Sequence, residues 1–503
     1  VEGERMQIHT FAAIDIGSYE LEMKIFELSA RKGMREIDCI RYRLEMGKDT
    51  YSIGKISTEK VEDLCEILQS FVTIMIGYQV SKYRAYATSA IRESRNRVML
   101  LDYIEKKTGL KIEVLENSEQ RFLDYKSIAS KENEFNKIIQ KGTAIIDVGG
   151  GSVQISLFDK DRLVTTQNIR IGNLRLREKI SSLERKTPHY EPLVEELVNH
   201  ELNNFKKIYM RECEVKNLIV VGDHIGELTK CSSFSAKEFL ELYQEVISYS
   251  IDDIAQRYEM PAESVSLLMP SLIIYKRFLE GIGAETIWMP GLNLCDGIAY
   301  EYAQQNKIIK SGHDFDEDII AAARNMAKRY MCSKSHIKIL EELALKIFDK
   351  TKKLHGLSKR ERLLLQIAVI LHECGDYISL SNAAECSYRI IMATEIIGLS
   401  KIEQEIIANV VRYNALEFEY LGKSNDYLLI AKLTAILRIA NAMDHSHKQK
   451  FKDVRIILKE NVLQITVVTP EDISLEKGLF PEKAAFFEEV FHILPVIKQK
   501  KIL

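Results

Sequence analysis

The sequence predicts two α/β lobes built by internal duplication, followed by an all-α domain and a small α+β tail. Three observations lead there. Two strand–turn–strand patterns, at 11–28 and 143–158, share one design and lie about 130 residues apart, which marks a repeated unit. Past residue 312 the strand signal gives way to a succession of amphipathic helices. A last hairpin pattern then opens the tail. At roughly 150 residues per domain, a 503-residue chain accommodates the division 1–130, 131–311, 312–450 and 451–503.

Taken in order, the apolar run from residue 11 breaks at Gly17-Ser18 and resumes to 28, reading as a strand, a tight turn and a second strand. Residues 61–76 and 97–107 place apolar side chains at helical spacing. Residues 111–115 read as a strand and 119–128 as a helix. The second strand–turn–strand unit is interrupted by Gly149-Gly150-Gly151, and 218–221 reads as a buried strand ending at Gly222. From 314 to 441 the expectation is helix throughout. Residues 454–459 and 462–469 form a hairpin around Glu460-Asn461, and 481–493 is helical. With 8 prolines and no low-complexity stretch, short connections between domains are expected.

Lys+Arg number 70 against 73 Asp+Glu, a net charge of -3, which excludes a uniformly cationic surface made for nucleic acid or anionic lipid. No apolar run approaches the roughly 18 residues needed to cross a bilayer. The charged residues Val1 to Arg5 lack the apolar region of a secretory signal, and Met6 reads as the natural start. Eight scattered cysteines without a Cys-x-x-Cys pair do not read as a disulfide or zinc framework. The expectation is a cytoplasmic protein with neither DNA nor membrane as partner.

The chemistry-bearing motifs are Asp15-Ile16-Gly17-Ser18 and Asp147-Val148-Gly149-Gly150-Gly151-Ser152, each an Asp at a strand end before a turn of small residues. Glycines let backbone N–H groups approach a phosphate, the Ser18 and Ser152 hydroxyls can donate to it, and two facing carboxylates can hold Mg²⁺. Either motif alone also reads as an ordinary hairpin turn. Their repetition at one place in two repeats favours phosphate binding.

These segments resemble the two phosphate motifs of the exopolyphosphatase/guanosine pentaphosphate phosphohydrolase (Ppx/GppA) family, within the acetate and sugar kinase–heat-shock–actin superfamily. Further similar segments follow in order: 86–92 with Arg92, 109–115 leading into Glu119, and Arg170-Ile171-Gly172-Asn173-Leu174-Arg175. Leu354-His355-Gly356-Leu357, Leu371-His372-Glu373-Cys374-Gly375 and Cys386-Ser387-Tyr388 continue the series in the helical region. The resemblance implies an actin-like, two-lobed fold, an HD-like helical domain and a small α+β tail. It implies Mg²⁺-dependent hydrolysis of the terminal phosphate of polyphosphate or of the 5′ γ-phosphate of guanosine pentaphosphate, and a homodimer is consistent with it. It places Glu119 at the family's catalytic carboxylate, where it would orient and deprotonate water. Read without the family, Glu119 is a capping group near a helix start, and Arg92 is either a phosphate clamp or a surface arginine.

The sequence departs from the family pattern at several positions. Tyr19-Glu20 follows the first turn in place of Asn-Ser, Gln154 stands where a Glu is usual, and Gln120 follows Glu119. Glu20 is a candidate to restore the charge missing at Gln154. The third motif, reduced to Gly222-Asp223-His224-Ile225, lacks the glycines an ATP-dependent kinase needs, which argues against ATP-driven phosphotransfer. Those departures leave a catalytically degenerate sensor of polyphosphate or guanosine tetra/pentaphosphate as one alternative. The other is a metallophosphohydrolase at His336, His372, Glu373 and Asp444, which resemble an HD pattern with Glu373 where Asp is expected. The plainer reading makes these histidines hydrogen-bonding core groups, and Asp444-His445-Ser446-His447 a surface helix end. Two basic stretches, 350–362 and 448–455, are candidate walls of a polyanion channel, expected near the cleft.

Overall fold

The computed structural model describes residues 9–500 except 161, 185–189, 212, 223–227, 229–230, 311 and 421–424. The expected Asp223-His224-Ile225 motif therefore lies outside the described residues. The chain divides into two compact units, Val1–Asp314 and Phe315–Leu503.

In the first unit the duplication is visible strand by strand. Strands β1 (His9–Ile16), β2 (Glu20–Ser29), β3 (Gly33–Arg43), β4 (Lys82–Ala87) and β5 (Glu113–Val114) form one sheet in the order β3-β2-β1-β4-β5. Strands β6 (Thr143–Val148), β7 (Val153–Asp159), β8 (Arg162–Ile169), β9 (Asn217–Val221), β10 (Ser233–Ser235) and β11 (Thr286–Trp288) form the second, in the order β10-β11-β9-β6-β7-β8. In each sheet a hairpin leads into an antiparallel third strand, and the first strand is joined on its other side by a parallel neighbour. One offset relates Asp15 to Asp147, Glu22 to Gln154, and the ladder irregularity at Ile25/Phe26 to that at Leu157/Phe158. β1 and β6 are almost wholly buried, as strands covered on both faces must be, which is why their sequences read as unbroken apolar runs.

Each lobe has its own core. Leu64, Leu68 and Phe71, four or three apart on helix Thr58–Gly77, pack under the first sheet, and Val265, Leu268 and Leu272 of helix Ala262–Ile282 pack under the second. The chain then recrosses. Helix Leu294–Gln305 buries Leu294, Cys295, Ile298 and Ala299 against Phe11 and Ala13 of β1, and Leu123 of helix Asn117–Ala129. A buried Lys24–Asp296 pair at 2.9 Å fixes that return, so the segment 131–311 expected as the second lobe contains a helix that packs on the first.

In the second unit the middle helix, Lys359–Leu371, is apolar nearly all round, with Leu363 to Leu365 and Ile367 to Leu371 buried. Such a helix must be surrounded, and helices Phe315–Arg329, Lys334–Lys350, Lys401–Ala415 and Asn425–Ala442 do so. The tail adds β12 (Val454–Lys459), β13 (Val462–Val468) and β14 (Leu494–Lys500) in the order β12-β13-β14, with helix Ser474–Phe491 crossing between the last two. That helix begins seven residues before the expected start at Pro481. Burial of Glu476, Phe480, Ala484 and Phe487 on one stripe outweighs the hydrogen bond that Pro481 removes. All eight cysteines are free thiols.

Candidate functional site

Between the two lobes of the first unit the paired turns face each other. Gly17 N–H donates to Glu20 O at 2.9 Å, and Gly149 N–H donates to Ser152 O at 3.0 Å, so both turns close in the same way. Each is buttressed by a helix start. Gly47 N–H, on helix Met46–Ile53, donates to Ser18 O at 2.8 Å, while Arg175 N–H, on helix Asn173–Glu184, donates to Gly150 O at 2.9 Å.

Glycine is required here by proximity. A Cβ on Gly150 would stand 3.1 Å from Ser18 Cβ, and one on Gly151 would meet Ser89 Oγ at 2.9 Å and the Tyr51 hydroxyl closer still. At Gly222 the backbone itself needs it, with φ at +104° beside Asp147. Ser18 Oγ shares hydrogen bonds with Tyr51 Oη and Ser89 Oγ, both at 2.8 Å, forming a hydroxyl cluster behind the turns. Arg175 joins the lobes: its Nε donates to Gly151 O at 2.7 Å, Nη2 donates to both oxygens of Glu93, and the guanidinium lies 4.3 Å over Tyr51.

The turns border a cavity of about 150 Å³ whose walls include Asp15, Glu20, Glu22, Asp124, Asp147 and Gln154, together with Gly17, Ser18, Gly149, Gly150 and Ser152. Among the described residues its walls hold five carboxylates and no lysine or arginine. Asp15 Oδ1, Asp124 Oδ2 and Gln154 Oε1 are buried and accept no hydrogen bond among the described residues. Burial, followed by Glu22, Glu20 and Asp147, pushes the Asp15 carboxyl well above its ordinary value. Burial pushes Asp147 up to about 7. Asp124 is raised by burial and by Asp147 and Asp15, with Arg121 acting in the opposite sense. A cluster of this kind holds its negative charge only when a cation shares it.

The departures take definite places. The β6/β7 register sets Gln154 beside Asp147, as β1/β2 sets Glu22 beside Asp15, so Glu22 and not Glu20 is the repeat's counterpart of Gln154. Glu22 is held by Arg41 Nε at 2.9 Å and Asn293 Nδ2 at 2.6 Å. Glu20 lines the cavity and faces Asp15, and the Tyr19 ring packs with Leu174 and Leu267. On helix Asn117–Ala129, Gln120 and Asp124 stand one turn apart and both reach the cavity. Glu119 is not among the residues lining it; its Oε2 accepts the Glu116 N–H at 3.0 Å in a capping box. Arg92 donates to Leu115 O at 2.6 Å and contacts Gln120 Oε1 at 3.4 Å, which places it behind the wall. Sequence reasoning missed Asp124, Glu22 and the Tyr51–Ser89 pair, and gave Arg175 a place in a motif but no role; the i,i+4 spacing of Gln120 and Asp124 and the repeat offset linking Glu22 to Gln154 were the available signals.

In the second unit His336, His372 and Glu373 do come together. His336 Nε2 lies 3.3 Å from His372 Nε2 and 3.6 Å from Glu373 Oε1. Burial pushes the His372 imidazole down to about 3 and raises the Glu373 carboxyl. Asp444 is not on a surface helix end: it is buried, and its Oδ2 accepts from His336 Nδ1 at 2.7 Å. The two basic stretches meet in this unit, where Lys346, Lys350, Lys353 and Arg455 line one groove. Arg360 and Arg362 of the first stretch are taken up by Glu403 and Asp349.

Comparison with known proteins gives the same series of features a family. The description "Ppx/GppA phosphatase family" matches residues 25–304, and "Ppx/GppA phosphatase, domain III" matches residues 320–481. The chain is 19% identical over 484 residues to a guanosine-5'-triphosphate,3'-diphosphate pyrophosphatase of Photobacterium profundum, covering 91% of each chain. It is 21% identical over 444 residues to the protein of that name from Aeromonas hydrophila, covering 86% of each. The crystal structure of an exopolyphosphatase from Cytophaga hutchinsonii superimposes with a TM-score of 0.52 at 18% identity, over 61% of this chain and 100% of that one. The two repeated sheets are thus the two lobes of the actin-like fold, and the chain belongs to the Ppx/GppA phosphatase family.

Proposed function

We propose that the chain is a divalent-cation-dependent phosphoanhydride hydrolase, releasing terminal phosphate from polyphosphate or the 5′ γ-phosphate of guanosine pentaphosphate. The observation that carries the reading is the cavity's contradiction in charge. Two turns suited to phosphate border walls made of Asp15, Asp124, Asp147, Glu20 and Glu22, with no cationic side chain among the described lining residues. A phosphate enters such a site only together with a cation. The orphaned oxygens Asp15 Oδ1, Asp124 Oδ2 and Gln154 Oε1 suit a hard ion such as Mg²⁺, which takes oxygen ligands directly or through water. Asp15, Asp124 and Asp147 would hold it, and Gln154 supplies an amide oxygen to water beside it. When bound, the ion supplies charge neutralisation for the phosphoryl oxygens.

The chain's own residues do the rest. The N–H groups of Ser18 and of residues 150–152 and the Ser18 and Ser152 hydroxyls orient the terminal phosphates. Glu119, at the position of the family's catalytic carboxylate, is the general base in this reading: the Glu116 N–H fixes its Oε2, and it adjoins Gln120 of the cavity wall. Arg92 positions Gln120, whose amide lies at the cavity wall. The relatives' names include both a guanosine-5'-triphosphate,3'-diphosphate pyrophosphatase and an exopolyphosphatase, so the two substrates are tested side by side. The measurement is phosphate release from polyphosphate and from guanosine pentaphosphate, each with Mg²⁺ and with chelator. Release from at least one, only with the cation, is expected; binding without release would make the chain a sensor instead.

A further inference from the structure

The helical unit contains a second convergence of ligand atoms, which the cleft chemistry does not use. His336 belongs to the first turn of helix Lys334–Lys350, His372 caps the end of helix Lys359–Leu371, Glu373 follows it, and His447 lies beyond the end of helix Asn425–Ala442. Three separate chain segments therefore deliver side chains to one point.

The hydrogen-bond partners fix which ring nitrogens are bare. His372 Nδ1 lies 2.7 Å from the Val369 carbonyl oxygen, which only accepts, so the proton is on Nδ1 and Nε2 carries a lone pair. His336 Nδ1 lies 2.7 Å from Asp444 Oδ2, and the other oxygen of that carboxylate accepts Gln449 N–H at 2.7 Å. His336 Nε2 is thereby left as the second lone pair, 3.3 Å from the first. Glu373 Oε1 completes the group at 3.6 Å from His336 Nε2, 3.8 Å from His372 Nε2 and 3.2 Å from His447 Nε2. Electron-rich atoms thus face one another in a largely buried setting, with His336 fully buried and Glu373 15% exposed.

Four of the six separations among these ligand atoms are close to those of a coordination shell. Four ligands at the usual zinc distances lie about 3.3–3.4 Å apart along the edges of a tetrahedron. The observed separations of 3.2, 3.3, 3.6 and 3.8 Å bracket that value. His336, Glu373 and His447 each present a ligand atom within 4.8 Å of the other two. Imidazole-rich donor sets select transition metals over Mg²⁺ and Ca²⁺. Asp444 is no ligand here. It orients His336 and, through Gln449 N–H, the turn that carries His447, an arrangement typical of carboxylates behind metal-bound histidines.

We propose that this unit binds one divalent transition metal of the zinc class through His336, His372, His447 and Glu373, with Asp444 as the positioning residue. The ring of His447 is exposed and stacks on His336 at 3.8 Å, so it closes the site from the solvent side by rotating about its own side-chain bonds. The ion would tie the ends of two helices to the 444–449 turn.

The test uses the full chain, stripped with chelator and kept in excess Mg²⁺ so that the carboxylate cleft is filled. Zn²⁺ alone is then titrated against a chromophoric chelator, and Co²⁺ is added in parallel to read its visible absorption. Uptake of one Zn²⁺ per chain and the cobalt band of a four-coordinate, nitrogen-ligated site are expected. His447→Ala removes an exposed side chain, keeps the fold, and should weaken uptake at least tenfold. Asp444→Asn should weaken it by roughly 10–100-fold. The double variant His336→Gln, His372→Gln should abolish it. No uptake by the native chain overturns the proposal, and so does uptake of unchanged affinity in His447→Ala and the double variant. Uptake lost in Asp147→Asn but kept in those variants would move the ion to the first unit and overturn it equally.

Discussion

Replacing Asp147 by Asn tests the charge account of the cleft through stability before any substrate is involved. In the folded chain burial raises this carboxyl from an ordinary 3.8 to about 7. Such a displacement corresponds to ~4 kcal/mol opposing the charged form, an upper figure because local relaxation and water entry reduce it. Because the folded value lies above the unfolded one, proton uptake favours the fold. That contribution is fully present below about pH 4 and is lost as pH rises through about 7. Asn never carries the charge. In chelator, the gain of Asp147→Asn over the native chain should therefore grow from near zero at about pH 4 to as much as ~4 kcal/mol above about pH 7. Urea or thermal unfolding of the metal-free first unit's transition, followed between about pH 5 and 8.5, reads this directly. Saturating Mg²⁺ should reverse the order, since only the native site gains from binding it. A variant no more stable than the native chain at about pH 8.5 in chelator, or a difference that ignores pH, would refute the reasoning.

Three further outcomes follow from the same geometry. Gly151→Ala places a methyl against Ser89 Oγ and the Tyr51 hydroxyl, and should lower phosphate release at least tenfold, with partial recovery in Gly151→Ala, Tyr51→Phe, which removes one clashing atom. Glu119→Gln keeps an oxygen for the capping bond yet takes no proton, so it should unfold like the native chain while release falls roughly 10²–10⁴-fold, whereas Glu119→Ala also loses about 1 kcal/mol of cap; unfolding curves and initial rates separate the two effects. Lys350→Gln, Lys353→Gln and Arg455→Gln together should raise KM for long polyphosphate several-fold, and more at low salt, while KM for guanosine pentaphosphate changes by less than about twofold; equal rises would deny the groove a role in chain binding.

How much of this was written in the sequence depends on whether a residue acts through pattern or through packing. Asp15, Asp147 and the two glycine turns were legible because the duplication repeats them at strand ends, where an unbroken apolar run must stop. Asp124 was not, because a lone carboxylate inside a polar helix reads as solvated; only the helix start at Asn117 turns Gln120 and Asp124 onto one face. Glu22 was hidden by a shift of two residues, and the strand register that pairs it with Asp15 exposes it as the counterpart of Gln154. His447 read as a surface group because its role depends on the turn that buried Asp444 organises. Helix Ser474–Phe491 starts ahead of Pro481 and β14 follows it because packing of Phe480 and Phe487, and a parallel pairing with β13, outweigh local propensity.

The central claim is that the carboxylate cleft of the first unit hydrolyses a phosphoanhydride with a divalent cation. The most direct measurement is phosphate release by native and Asp147→Asn chains, with polyphosphate and guanosine pentaphosphate, across a Mg²⁺ titration. The account predicts cation-dependent release by the native chain that Asp147→Asn loses at every Mg²⁺ concentration while remaining folded. Release that survives in Asp147→Asn, or that proceeds unchanged in chelator, would contradict it.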